Sequence, residues 1–255
     1  MTRPRKSLGQ HFLHQRGVTE QIIRSFNPQH GDCVIEIGPG LGALTYELIP
    51  NVGQLHVVEL DSELAGRMKN DTRGHANVHV HHADALKTDY CGLCPGENIR
   101  LIGNLPYNIS TPLLFHLLGQ RSCIRDMWFM LQKEVGERIL AEPGSRRYGR
   151  LSVMVQQSCK VQLVLRVASG AFTPPPKVES VVLYLAPYDE PPHVVDDFKA
   201  LETVVRVAFS QRRKTLRNAL MPLIDATRME ELGIDPRLRP EQLHISDYAK
   251  LSQLL

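Results

Sequence analysis

Asn104-Leu105-Pro106-Tyr107 brings together a side-chain carbonyl, a backbone carbonyl, a rigid turn residue and an aromatic ring. The set suits the alkylation of an exocyclic amine on a purine. Such a nitrogen is a poor nucleophile, because its lone pair is delocalised into the ring. If the Asn104 oxygen and the Leu105 carbonyl accept its two hydrogens, the nitrogen is favoured as a pyramid with its lone pair free to attack. Pro106 stiffens the turn, and Tyr107 offers a face on which the base can stack. Phe172, in Phe172-Thr173-Pro174-Pro175-Pro176-Lys177-Val178, is a second candidate stacking surface, if the prolines hold that loop over the site. The alternatives are an ordinary turn with a buried Tyr and a plain Pro-rich connection between strands.

The alkyl donor needs its own cradle. Val34-Ile35-Glu36-Ile37 runs directly into Gly38-Pro39-Gly40-Leu41-Gly42, an apolar strand entering a glycine-rich turn where backbone can approach a ligand. The G-x-G-x-G spacing, with Glu36 two residues before the first glycine, departs from the G-x-G-x-x-G of dinucleotide folds and points away from NAD. Nineteen residues past Gly40, Glu59 closes another apolar run, where a carboxylate can accept hydrogen bonds from both hydroxyls of a ribose. Asp84 follows a third strand candidate and either accepts from an adenine amine or caps the next helix; spacing leaves both open. An adenosine-containing cofactor is the expectation.

These residues need a scaffold that gathers strand ends. Runs 33–37, 54–60, 78–82, 99–103 and 127–131 read as strands, and 43–49, 62–69, 111–118 and 133–140 as helices with apolar positions three and four apart. The alternation predicts an α/β fold with a doubly wound, mostly parallel sheet. Runs 151–167 and 178–185 read as further strands, forming an antiparallel edge pair. Beyond Pro191-Pro192 the pattern turns helical over 198–209, 216–223, 228–232 and 245–254. The expected division is therefore 1–189, with a basic N-terminal arm, and a small helical domain over 190–255.

Among 255 residues, 42% are hydrophobic and 22% charged, which argues against a disordered or coiled-coil chain. No apolar run reaches the ~18 residues of a membrane span. The net charge of +3 is unevenly placed: Arg3, Arg5, Lys6, Arg16 and Arg24 face one acid, Glu20, and Arg206, Arg212, Arg213, Lys214, Arg217 and Arg228 face one acid, Asp225. Two such segments can form one phosphate-binding face or two solvated helix faces. The cysteines at 33, 91, 94, 123 and 159 are odd in number and scattered, which fits unpaired thiols in a reducing cytoplasm. Cys91 and Cys94 read as part of a surface turn. His79 and His81 share one strand face, but no carboxylate or Cys is spaced to join them, so no metal is expected.

Gly9-Gln10-His11-Phe12-Leu13, the Glu36-to-Gly42 run, residues 104–110, residues 172–178 and Gln211-Arg212-Arg213-Lys214-Thr215-Leu216-Arg217-Asn218 occur in this order. Together they closely resemble the bacterial ribosomal RNA small-subunit adenine dimethyltransferase family, essentially end to end. The resemblance implies a class I methyltransferase with a Rossmann-like sheet and a small C-terminal helical domain. It implies S-adenosyl-L-methionine as cofactor and two adjacent adenosines near the 3′ end of small-subunit ribosomal RNA as substrate. By the same resemblance His11, Leu13, Gly38, Glu59, Asp84 and Asn104 contact the cofactor, while Leu105, Tyr107 and Phe172 hold the target base. Position 11 is commonly Asn in the family and is His here, so a backbone contact is more secure than one through the side chain. Arg212, Arg213, Lys214 and Arg217 are the leading RNA contacts. The small ribosomal subunit is the expected partner, and the chain is expected to be monomeric and to lack a membrane association. A ribosome-assembly factor acting chiefly by binding, or an adenine methyltransferase acting on another nucleic acid, stays open.

Overall fold

The order in which strands lie side by side decides where a ligand can bind. The computed structural model describes Arg5 and residues 9–255. Its strands are β1 (Phe12–Leu13), β2 (Cys33–Ile37), β3 (Gln54–Glu59), β4 (Val78–His82), β5 (Ile99–Asn104), β6 (Ile124–Gln132), β7 (Cys159–Val167), β8 (Phe172–Thr173) and β9 (Ser180–Pro187). Seven of them form one sheet in the order β4-β3-β2-β5-β6-β9-β7, and β1 pairs with β8 in a separate antiparallel ladder. From β4 to β6 the neighbours are parallel, whereas β9 runs antiparallel to β6 with Met127 opposite Leu185. The chain passes from β2 to β3 on one side and later to β5 on the other. That reversal opens a crevice at the carboxyl ends of β2, β3 and β5.

Burial explains why β2 reads as a continuous apolar run: all five of its residues are buried. Strands covered on both faces lose the alternation of a half-exposed sheet. A core of Val34, Leu55, Val57, Ile102, Met130 and Val182 is continued by Ile22 and Phe26 of the helix Arg16–Phe26. At the amino end of the sheet the buried Arg100 guanidinium donates to Asp126 at 3.1 Å, to Asp32 at 2.8 Å and to the Phe26 carbonyl at 2.8 Å. These bonds tie β5, β6, the entry to β2 and the end of that helix together.

Three expectations need correction. Residues 151–167 are not one strand: Arg150–Ser158 is a helix and only Cys159–Val167 is extended. That helix buries Leu151, Ser152, Val153, Met154, Val155, Gln157 and Ser158, so it has no polar stripe to reveal its period. The cysteines are not all unpaired, because Cys33–Cys94 and Cys91–Cys123 are disulfides, while Cys159 is buried outside both bridges. Partners 61 and 32 residues apart are brought together by the fold, not by spacing. Cys94 is accordingly buried rather than set in a surface turn.

The chain divides into two compact units, one ending at Gly136 and resuming over Val161–Pro187, the other formed by Glu137–Lys160 and Tyr188–Leu255. The second unit thus takes in Glu137–Lys160 as well as the residues from Tyr188 onward. Within the second unit Arg150 pairs with Glu202 at 2.8 Å, and the rings of Tyr148 and Phe209 lie 6.2 Å apart. Helices Phe198–Ser210, Leu216–Leu220 and Ile245–Ser252 contribute Leu201, Val204, Leu220 and Leu251 to its core.

Candidate active site

The crevice is an open cleft walled by residues 9–13, the glycine turn, Glu59 and Leu60, residues 83–85 and residues 104–109. Its floor depends on left-handed backbone at Gly38 and Gly40, with φ of 68° and 57°. A Cβ on Gly40 would also lie 2.9 Å from the Phe12 ring, so a side chain there would displace the wall. The Gly38 amide donates to the Val58 carbonyl at 2.9 Å, anchoring the turn to β3.

Carboxylates stand at the three strand ends. Glu36 is buried and accepts from Thr45 Oγ1 at 2.6 Å; burial nevertheless raises its carboxyl to about 7. Glu59 is raised by burial too, partly opposed by backbone donors, among them the Asp61 amide at 2.9 Å. Asp84 accepts from the Leu86 amide at 2.9 Å in a turn, with no helix following directly. Its carboxylate lines the crevice beside the apolar Ala83, Ala85 and Leu60. An acid at the end of β3 and a second beside apolar walls offer hydrogen-bond acceptors next to an apolar surface, so these residues fit the expected cofactor.

Asn104 ends β5, where its Nδ2 donates to the His11 backbone carbonyl at 2.8 Å. A carbonyl can only accept, so this bond fixes the amide orientation and leaves Oδ1 as an acceptor. The His11 ring contacts the Pro174 carbonyl at 2.8 Å through Nδ1 and stacks on Tyr107 with centroids 5.3 Å apart. Tyr107 is half-buried, shares a 2.9 Å hydrogen bond with Ser180 Oγ, and has its hydroxyl pKa raised by burial. Leu105 is buried, its amide bonded to the Met130 carbonyl.

The fold thus gathers His11, Leu13, Gly38, Glu59, Asp84, Asn104, Leu105 and Tyr107 around one cleft. It does not bring Phe172 there. Phe172 is 2% exposed, lies opposite Leu13 in the β1–β8 ladder and packs in the core with Ile22 and Phe26. Strand pairing turns the ring inward, whereas the Pro-rich sequence alone suggested a loop over the site. Arg213, Lys214 and Arg217 are exposed, but Arg212 donates to the Arg146 and Tyr148 carbonyls at 3.1 and 3.0 Å. Of the N-terminal basic segment, Arg3 and Lys6 lie outside the described residues, and Arg5 is paired with Asp61 at 3.2 Å.

Sequence reasoning missed Phe12, Gln10, Ser180 and Asp61. Asp61 caps the helix Ser62–Asp71 through the Glu63 and Leu64 amides and receives Gln10 Nε2 at 3.3 Å. An Asp directly before a helical run is the readable signal for the cap. Nothing local in the sequence announces its bond to Gln10.

The switch-point crevice, the glycine turn and the acid-lined strand ends define an S-adenosylmethionine-dependent methyltransferase. A family profile described as "Ribosomal RNA adenine dimethylase" matches residues 1–255, and the chain belongs to that family. A "Ribosomal RNA small subunit methyltransferase A" of Pseudomonas aeruginosa is 50% identical over 254 residues, 99% of this chain and 95% of that protein. The crystal structure of a dimethyladenosine transferase from Plasmodium falciparum has a TM-score of 0.80 at 29% identity, covering 94% of this chain and 96% of that one. That of the 23S rRNA methyltransferase ErmE has a TM-score of 0.71 at 25% identity, covering 96% and 99%. Among the described residues, no helix is long and apolar enough to cross a membrane.

Proposed function

We propose that the chain dimethylates the exocyclic amines of two adjacent adenosines near the 3′ end of small-subunit ribosomal RNA. The observation that carries this reading is the Asn104 amide, held by the His11 carbonyl so that Oδ1 is left to accept from an incoming amine. The 50% identity to a protein named for small-subunit RNA, against 25% to one named for 23S RNA, supports the choice of substrate. When bound, S-adenosylmethionine supplies a methyl group on a sulfonium, an already activated leaving group. The protein's task is then position and orientation.

In this reading Glu59 accepts from the ribose, Asp84 from the adenine amine, and the Gly38 turn and residues His11 and Leu13 line the methionine side. Asn104 Oδ1 and the Leu105 carbonyl hold the target amine, and Tyr107 stacks on the base. Unstacking the adenosine costs a few kcal/mol, which stacking and phosphate contacts offset. Arg213, Lys214 and Arg217, with the outer edge of Arg212, supply those contacts. The alkylated nitrogen is acidic and loses its proton to water, so no general base is required. A monomer working in the cytoplasm on the small subunit completes the proposal.

The test is to incubate the purified protein with S-adenosylmethionine and small subunits lacking these methyl groups, then quantify nucleosides by mass spectrometry. Dimethyladenosine at the two adjacent positions is expected. Methylation confined to large-subunit RNA or DNA, or binding without methylation, overturns the assignment.

A further inference from the structure

The sheet's amino end, away from the crevice, carries a second cluster. Cys33 begins β2, while Cys94 follows the short helix Tyr90–Leu93 and His56 lies in β3. The register sets Cys33 opposite Gln54 and Ile35 opposite His56, so Cys33 and His56 project from the same sheet face. Their ligand atoms and that of Cys94 all lie within 4.8 Å of one another. Both cysteines are buried, and His56 is half-buried.

We infer that Cys33, Cys94 and His56 form a thiolate–imidazole site for a divalent transition metal, Zn(II) by ligand type, when the two sulfurs are reduced. Tetrahedral zinc, with bonds of about 2.3 Å to sulfur and 2.0 Å to nitrogen, spaces its ligands by roughly 3.5–3.8 Å. With the disulfide closed the two sulfurs are in bonding contact, and reduction must part them to reach that spacing. The Cα atoms of Cys33 and Cys94 stand 6.9 Å apart, at the wide end of what a disulfide bridges, so two thiolates fit without moving the backbone. His56 Nδ1 is hydrogen-bonded to His81 Nε2 at 3.0 Å, and their rings are stacked 3° from parallel. That contact commits Nδ1 and leaves Nε2 for a metal, the arrangement by which an outer group orients a ligating imidazole.

The chemistry balances. A dithiol or phosphine reductant gives the Cys33–Cys94 disulfide two electrons, and two protons complete two thiols. Each thiol releases its proton as its sulfur binds, so Zn(II), two thiolates and a neutral imidazole carry no net charge. Water fills the fourth position. The disulfide and the metal are therefore alternative occupants of one pair of sulfurs, and oxidation ejects the ion.

The experiment is a Co(II) titration of the full-length chain reduced with a phosphine, followed by Zn(II) displacement. A thiolate-to-Co(II) charge-transfer band saturating at a single equivalent and bleached by Zn(II) is expected. It should vanish in Cys33→Ser, Cys94→Ser and His56→Gln, and persist in Cys91→Ser, Cys123→Ser and Cys159→Ser. His81→Gln should weaken Zn(II) binding by about 10-fold or more. Unreduced wild type, with its fold checked against the reduced protein by circular dichroism, should show no band, and this arm stands even where Cys33→Ser fails to fold. No band in the reduced wild type, a band in the unreduced protein, or one surviving in folded Cys33→Ser or Cys94→Ser overturns the site.

Discussion

Asn104 Nδ2 donates to the backbone carbonyl of His11 at 2.8 Å, joining the end of β5 to the segment that enters β1. The bond uses the His11 main chain, so it survives a change of side chain at position 11. The orientation of Oδ1 is thereby a property of the fold rather than of the side chain at position 11.

Replacing Asn104 with Ala removes both the bond to His11 and the acceptor for the target amine. Turnover should fall on the order of 10²- to 10³-fold, the usual cost of losing one preorganised polar contact to a reacting group. Cofactor affinity should change far less. Single-turnover methyl transfer alongside equilibrium cofactor binding separates the two effects, and unchanged turnover contradicts the role.

Tyr107→Phe keeps the ring against His11 and loses only the bond to Ser180. Tyr107→Ala loses the stacking face as well, worth ~1–3 kcal/mol per base in other nucleic-acid sites. The Ala variant should therefore lose roughly 5- to 150-fold more activity than the Phe variant. Equal losses in a side-by-side rate measurement would assign the work to the hydroxyl instead.

Glu36 sets a pH dependence of stability. Its carboxyl ionises near 4.5 in the unfolded chain and near 7 in the folded one, because burial penalises the charge. The favourable contribution is complete below pH 4.5 and is lost as pH rises through about 7. Glu36→Gln should thus leave stability nearly unchanged at pH 4 and raise it at pH 8 by up to roughly 3 kcal/mol. Denaturant midpoints at the two pH values read the difference, and a variant destabilised at pH 8 contradicts the sign.

Arg100→Leu strands the carboxylates of Asp32 and Asp126, both buried. Removing one partner of a buried ion pair costs about 3–5 kcal/mol. The additional exposed partner Arg125, 3.2 Å from Asp32, offsets part of this for one acid only. Urea unfolding should register the loss, and a shift under ~1 kcal/mol would show that the cluster relaxes around the change.

Much of the crevice was legible because its residues sit where a periodic run meets a turn. Gly38, Glu59, Asp84 and Asn104 each lie at or just beyond a strand end, and a carboxyl-end site collects them whatever the details of packing. Phe172 lies apart from the cleft lining for the opposite reason. Its role depends on pairing with Leu13, a contact between two-residue strands distant in the chain that no local pattern encodes. The helix Arg150–Ser158 misled because burial all round erased its period, and its Val153 and Val155 imitate strand alternation. Cys33 and Cys94 illustrate the same limit: only the register of β2 on β3 puts Cys33 on the face that carries His56.

The β1–β8 ladder bears on how the molecule is made. Phe12 and Leu13 leave the ribosome early, yet their hydrogen-bonding partners Thr173 and Phe172 are polymerised long afterwards. During vectorial synthesis the glycine turn and the first three strand ends are exposed while the segment that walls them has nothing to pair with. A nascent chain stopped before Phe172 carries most of the cofactor-lining residues and an unsecured front wall. The front wall of the crevice is therefore completed by residues from the far end of the first unit, and a chain shortened before Phe172 lacks the ladder that secures it.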